Sequence, residues 1–123
     1  MARLNYKDVT VFASAARTAS ASSSDIRNIE RHRGIILEID CTAVTATPSV
    51  VFTIQGKIGA NYYTMLASAA ITAVGKTYLR VFPGATAAAN TVANDCVPEV
   101  WRVDAVNADA DSITYSVKAH LIP

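Results

Sequence analysis

The feature that most constrains this chain is the alternation of apolar and polar residues near its C-terminus. From residue 113 to residue 121 every second side chain is apolar, and the side chains between them carry a hydroxyl or a basic group. Successive side chains of a β-strand point to opposite faces, so this pattern predicts a strand with one face in a core and the other in solvent. Tyr115 falls on the apolar face, and we expect its ring to be buried.

The same period of two recurs along the whole chain, and turn residues such as Pro48, Gly59 and Pro83 separate the stretches. The predicted strands cover residues 8–14, 34–42, 50–55, 62–66, 77–82, 97–106 and 113–121. Seven short strands predict an all-β fold. The expected architecture is an antiparallel two-sheet sandwich (jelly-roll or immunoglobulin-like) or a short barrel.

The length of 123 residues suits a single domain, so we assign residues 1–123 to one unit. Residues 1–7 precede the first alternating stretch and are interpreted as an extended N-terminal arm. The sequence predicts at most one short helix, over residues 25–33, with Ser24 as its cap.

Individual side chains are assigned to a face from the alternation. In the first strand, Val9 and Val11 are predicted to point inward, which leaves Phe12 on the polar face. In the sixth strand, Trp101 lies on the apolar face, and we expect it in the core.

The two cysteines, Cys41 and Cys96, are predicted to be free and buried. An immunoglobulin-like disulfide would place a core tryptophan between them, but Trp101 follows the second cysteine. Free cysteines in proteins often behave as small apolar residues.

The charge balance and the apolar runs limit the expected partners. Eleven Lys and Arg residues against ten Asp and Glu give a net charge of +1, which does not favour binding to bulk nucleic acid. The N-terminus lacks the apolar run of a signal peptide, and the longest apolar stretch, residues 65–74, is too short to span a bilayer. We therefore expect synthesis in a cytoplasm, with no membrane partner and no specific nucleic-acid partner.

No stretch of the sequence carries a catalytic or cofactor-binding motif, so we expect neither enzymatic activity nor a cofactor. His32 and His120 lack the close spacing of zinc ligands, and a zinc site is not expected. Asn107, Asp109 and Asp111 alternate as in a calcium loop, but Lys118 stands where the closing glutamate is needed. These three residues are interpreted as a polar hairpin turn.

The candidate functional residues are surface contacts. The one basic cluster consists of Arg27, Arg31, His32 and Arg33, with Glu30 inside it. For this cluster a solvated face or a protein contact is favoured over a nucleic-acid patch. Residues 85–95 form a long loop of small side chains, predicted to become ordered on contact with neighbouring subunits. The predicted interface residues are Arg3, Tyr6, Arg27, Arg31, Arg33, Tyr62, Tyr63, Thr86, Asn90 and Asn94.

Several segments together resemble a family of small structural proteins of tailed bacteriophages. The segments that carry the resemblance are 39–44, 47–49, 53–57, 62–63, 80–84, 98–103 and 112–117. The resemblance implies a virion protein that decorates or cements an icosahedral capsid. It also implies contacts with the major capsid protein or other virion subunits, and a homo-oligomer within the assembly.

Two alternatives remain open from the sequence. A phage tail or head–tail connector protein would share the same strand and turn pattern. A carbohydrate-binding β-sandwich module would need a concave cluster of exposed rings with polar partners, and aromatic residues make up only 7% of this chain.

Overall fold

The computed structural model describes residues 5–123, and these residues form ten β-strands and no helix. The strands are β1 (Lys7–Arg17), β2 (Ala21–Ser22), β3 (Ile26–Arg27), β4 (Gly34–Val44), β5 (Val50–Ile58), β6 (Asn61–Ala67), β7 (Gly75–Val81), β8 (Val92–Ala93), β9 (Val100–Asn107) and β10 (Ile113–Ile122). The described part of the chain has no helix that could cross a membrane.

The strands form two sheets that pack face to face. The first sheet has the order β1-β10-β4-β7-β8, and the second has the order β2-β9-β5-β6 with β3 also paired to β9. All pairs are antiparallel except β7 with β8. The sheets do not close on each other, so the predicted all-β sandwich is confirmed and the barrel alternative is wrong.

The core lies between the inner faces of β4, β5, β9 and β10. Val, Ile and Leu dominate these faces because branched apolar side chains pack well on a pleated surface. The inward alternation predicted for the last strand is confirmed, since Tyr115 and its apolar neighbours on β10 are buried. Trp101 is fully buried on β9, as predicted.

The facing of Phe12 was predicted wrongly, because β1 contains two β-bulges. The pairing with β10 shifts between Thr10 and Phe12 and again between Phe12 and Ala15. An extra residue in a strand reverses the alternation beyond it. Phe12 therefore turns inward and is 8% exposed, whereas Ala13 lies on the surface.

The helix predicted over residues 25–33 is also wrong. Ile26 and Arg27 pair with Trp101 and Val100 of β9, and turns follow them. The Asn28 side chain closes this segment by donating to the carbonyl of His32 at 2.7 Å and accepting from its amide at 2.8 Å. Asn side chains compete with helical hydrogen bonds in this way.

Residues 85–95 are joined to the first sheet by backbone hydrogen bonds, and their ordering by a neighbouring subunit stays a prediction. The amides of Arg80 and Phe82 donate to the carbonyls of Thr91 and Ala93, which adds β8 to the first sheet. The amide of Val92 also donates to Ala88 within the loop. Backbone hydrogen bonds therefore hold a segment whose side chains bury little area.

We predict that Tyr115→Ala lowers the free energy of unfolding by about 3–5 kcal/mol, because it removes a large ring from between the two sheets. Tyr78→Ala is the matched control, since Tyr78 is 46% exposed and its hydroxyl bonds only to Glu38. The control should cost about 1 kcal/mol or less. Denaturant unfolding followed by tryptophan fluorescence measures both, and equal costs would contradict the described core.

Candidate functional site

The segment 27–33 is held in a fixed shape at one end of the sandwich. The amide of Asn28 donates to the carbonyl of Glu99 at 2.8 Å, and the amide of Arg33 donates to Ile122 at 2.8 Å. Arg31 adopts a left-handed backbone conformation with φ of 57°, which turns the chain between these anchors. The shape of this loop is therefore set by bonds to Glu99, directly before β9, and to β10.

This loop and residues 96–99 enclose a groove of about 650 Å³, which we call the arginine groove. Arg27, Arg31 and Arg33 are exposed and line it, so the structure brings the predicted basic cluster around one concavity. The guanidinium of Arg27 lies 3.8 Å from the carboxylate of Glu99. Both side chains are exposed, so this ion pair adds little to the stability of the fold. The full lining is Arg27, Asn28, Ile29, Arg31, His32, Arg33, Cys96, Val97 and Glu99.

Sequence reasoning missed the lining residues outside the basic cluster, which are Asn28, Ile29, Cys96, Val97 and Glu99. Glu99 and Cys96 join the groove only through the pairing of β3 with β9, which no local pattern reveals. Cys96 is exposed, so its predicted burial is wrong. Ile29 is 80% exposed, and the charged residues around it were the one available sign that it faces solvent.

The N-terminal segment lies against the fold beside the arginine groove. His32 is only 3% exposed, and its Nε2 lies 2.8 Å from the carbonyl oxygen of Asn5. The side chain of Asn5 donates to Glu30, and this bond is the main reason that the pKa of Glu30 is lowered. Lys7 lies 3.5 Å from the same carboxylate.

Tyr6 is 52% exposed, and its ring stacks on His120 with centroids 5.4 Å apart. Arg3 lies outside the described residues. Of the predicted N-terminal contact residues, the structure therefore describes only Tyr6. Tyr6 does not line the arginine groove.

Tyr62 belongs to a polar network on the outer face of the second sheet. Its hydroxyl donates to Asp25, which also pairs with Lys57 at 2.8 Å. The guanidinium of Arg102 lies 3.5 Å from the Tyr62 ring centroid, and Arg102 Nε donates to Gln55. The hydrogen bond with Lys57, followed by that with Tyr62, lowers the pKa of Asp25. The Tyr62 side chain therefore makes its hydrogen bond and its cation–π contact within the chain.

Tyr63 points to the opposite face and lies across Gly56 of β5. A Cβ atom at position 56 would collide with the Tyr63 ring, so glycine is required for this contact. Burial, followed by the nearby Asp95, raises the pKa of Tyr63, although the ring remains 37% exposed. Tyr63 is therefore half covered at the edge of the core.

The predicted loop residues Thr86, Asn90 and Asn94 are exposed. Two of them stabilise the loop itself. Asn90 adopts a left-handed conformation and donates to the carbonyl of Ala67, and the Asn94 side chain accepts from the amide of Gly84 at 2.8 Å. Neither side chain joins the arginine groove.

Within residues 5–123, no group of three or more His, Cys, Asp or Glu side chains is placed to hold a metal ion. Asp109 accepts a hydrogen bond from the amide of Asp111, whose carboxylate in turn accepts from Thr47. These carboxylates form hydrogen bonds within the turn between β9 and β10, as expected for a polar turn. The two strands lie in different sheets and do not pair, so the predicted hairpin is wrong.

Comparisons with known proteins give one match. No family model and no curated protein matches the chain. The solved structure titled "Crystal structure of SPBc2 prophage-derived protein YomS" matches with a TM-score of 0.58 and 10% sequence identity. The match covers 100% of this chain and 97% of that chain. The two proteins therefore share the same sandwich fold over their whole lengths.

We predict that Cys96 reacts with iodoacetamide in the native protein and that Cys41 reacts only after unfolding. Cys96 is exposed, whereas Cys41 is buried and its pKa is raised by that burial. The thiolate is the reactive form, so both effects protect Cys41. Peptide mass spectrometry of native and denatured samples measures this. Equal labelling rates in the native protein, or a mass showing a disulfide, would contradict the structure.

We predict that Asp25→Asn weakens the pH dependence of stability. A carboxyl whose pKa is lowered by folding contributes stability above its ordinary pKa of 3.8, and this contribution is lost as the pH falls through the folded value. The variant should be less stable at neutral pH and should lose less stability below pH 3.8.

Asp40→Asn, on the outer face of the first sheet, is the control for Asp25→Asn. Denaturant unfolding from neutral to acidic pH measures both variants. If both profiles match that of the wild type, the network around Tyr62 does not stabilise the fold.

Proposed function

We propose that this chain is a non-enzymatic structural protein of a tailed-phage virion that decorates or cements the capsid through protein contacts. The observation that carries the proposal is the fold match, over the whole length of both chains, with a prophage-derived protein. The segments that resemble phage structural proteins support the same assignment. The proposed location is the virion, and the proposed partners are the major capsid protein or other virion subunits.

The arginine groove supplies chemistry suited to such a contact. Guanidinium groups are planar and form paired hydrogen bonds with carboxylates, so three of them around one concavity favour an acidic protein surface. Ile29 also lines the groove and adds an exposed apolar side chain. Repeated copies on a capsid would convert a weak single contact into firm attachment.

A capsid-binding assay with matched charge removals tests this proposal. We expect Arg27→Ala combined with Arg31→Ala to weaken binding to capsid shells that lack this protein by about tenfold or more. Arg80→Ala combined with Lys118→Ala removes the same charge from the outer face of the first sheet and is the control. The control should bind as the wild type does. Circular dichroism checks that each variant is folded.

The outcomes separate the parts of the proposal. Equal losses in both double variants would show that overall charge, and not the arginine groove, governs attachment. Failure of the wild-type protein to bind capsids would contradict the decoration role. Binding to purified tails or connectors in that case would favour the alternative position in the particle.

A carbohydrate-binding role is the second candidate, and one surface favours it. The outer face of the first sheet has a depression of about 350 Å³ lined by residues that include Tyr78, Glu38, Asp8 and His120. The exposed Tyr78 ring lies beside the Glu38 carboxylate, to which its hydroxyl donates at 3.0 Å. A flat exposed ring with polar neighbours provides the surface on which a sugar can stack.

A glycan array with the wild-type protein and Tyr78→Ala tests the second candidate. Binding to a defined glycan that is lost in Tyr78→Ala would support it. Arg27→Ala should retain that binding, because Arg27 lines the other concavity. An array without signal, together with capsid binding, would exclude the carbohydrate role.

A further inference from the structure

The arginines of the arginine groove differ in how far other groups of the chain already hold them. The guanidinium of Arg27 lies 3.8 Å from the carboxylate of Glu99. The guanidinium of Arg33 lies 5.6 Å from the centroid of the Phe82 ring, and its Nη2 lies 3.5 Å from the carbonyl oxygen of Pro123. Two of the guanidinium groups therefore have partners within the chain.

The Arg31 side chain has no such partner among residues 5–123. Its backbone amide donates to the carbonyl of Asn28 at 3.3 Å, while its side chain is exposed and lines the groove. A guanidinium carries several N–H donors and no acceptor. The donors of Arg31 are therefore available to a ligand in the groove.

The backbone of Arg31 is in the left-handed region, with φ of 57°. Glycine adopts this conformation without steric cost, whereas an arginine does not. Ala46 shares the conformation, with φ of 61°, so the backbone alone assigns no role. Arg31 differs from Ala46 because it places an unpartnered charged group in a groove. Its side chain therefore has a use that could offset the unfavourable backbone conformation.

The arginine groove continues into two neighbouring concavities. Arg27 and Glu99 also line a concavity of about 430 Å³ that includes Lys57, and Arg27 and Ile29 also line one of about 100 Å³ that includes Lys7. Concavities that share side chains form one elongated surface. Such a surface suits an extended polypeptide better than a compact small molecule, and exposed Ile29 offers that polypeptide an apolar contact.

The acidic residues of this surface favour a protein segment over a nucleic acid. Glu99 lines the groove, and Glu30 lines the smallest concavity beside it. A nucleic acid carries a phosphate at every nucleotide, and these carboxylates would repel the row of phosphates. A protein segment can place one carboxylate at Arg31 and uncharged residues beside Glu99.

We propose that the arginine groove binds an extended acidic protein segment, with Arg31 as the residue that receives its carboxylate and Glu99 as an internal competitor for Arg27. Guanidinium and carboxylate groups match in geometry, so the pair at Arg31 is both strong and directional. The Arg27–Glu99 pair is exposed and weak, and a second carboxylate of the segment replaces Glu99 on Arg27. This inference rests on the proposed function and names the kind of segment that the partner supplies.

Fluorescence anisotropy of labelled hexaglutamate, titrated with the full chain, tests the role of Arg31. Arg31→Gly removes the side chain and keeps the loop, because glycine adopts the left-handed conformation. We expect its dissociation constant to be about tenfold or more above that of the wild type. Ala46→Gly makes the same backbone change at an exposed position outside the groove and should bind as the wild type does. The melting temperature of neither variant should fall.

Glu99→Gln tests the competitor and should change binding in the opposite direction. Removing its charge frees Arg27 and ends the repulsion of the ligand, so the dissociation constant should fall by about twofold to fivefold. Glu38→Gln removes the same charge from the outer face of the first sheet, away from the groove, and should leave binding unchanged.

Several results would overturn the inference. Unchanged peptide binding in Arg31→Gly, or an equal loss in Ala46→Gly, would remove Arg31 as the anchor. Weaker binding by Glu99→Gln would show that Glu99 is not a competitor. Hexaglutamine that binds as well as hexaglutamate would show that carboxylates are not recognised. An oligothymidylate that binds more tightly than hexaglutamate would assign the groove to nucleic acid.

Capsid binding by the same variants separates this inference from the proposed function. A wild-type protein that binds hexaglutamate through Arg31 but does not bind capsids would contradict the decoration role and support the groove assignment. Capsid binding that Arg31→Gly leaves at the wild-type level would overturn the groove assignment and leave the decoration role intact. Loss of both kinds of binding in Arg31→Gly is the result that we expect.

Discussion

Tyr115 makes the contact on which the sandwich depends. Its ring meets Phe52 of the opposite sheet edge-on at 4.8 Å between centroids and Phe12 of its own sheet at 5.8 Å. Arg17 covers the same ring, with its guanidinium carbon 4.4 Å from the centroid, while its nitrogens bond the carbonyls of β1. The Tyr115 ring therefore contacts both sheets and holds the bulged β1 in place. The aliphatic side chains that make up most of the core do not form such ring contacts.

The parts of the fold that follow simple alternation were predictable from the sequence. The core faces of β4, β5 and β10 were predicted correctly, because their apolar residues recur at a period of two. Leu37, Phe52 and Val117 belong to this pattern, and all three are buried. The facing of Phe12 was not predictable, because a bulge depends on how β1 meets β10. The path of residues 25–33 is fixed by the Asn28 side chain and by backbone bonds to Glu99 and Ile122, and residues 85–95 are joined to the first sheet by backbone bonds. Neither set of hydrogen bonds produces a periodic pattern in the sequence.

The candidate site was predictable only where its residues are neighbours in sequence. Arg27, Arg31 and Arg33 lie within one short segment, so their grouping was evident before the fold was known. Glu99 and Cys96 reach the same groove through strand pairing, and the contacts of Tyr62 with Asp25 and Arg102 join residues far apart in sequence. The three arginines of the arginine groove are exposed and do not belong to the buried core. Their chemistry can therefore serve assembly without weakening the fold.

The central claim is that this protein forms part of a phage particle. The most direct test is an electron-microscopy reconstruction of virus particles purified from the source of this sequence, with mass spectrometry of the same sample. The account predicts that the chain is present in many copies and that its β-sandwich fits density on the outside of the capsid shell, with the arginine groove against the shell. Purified particles that lack the chain would contradict the account.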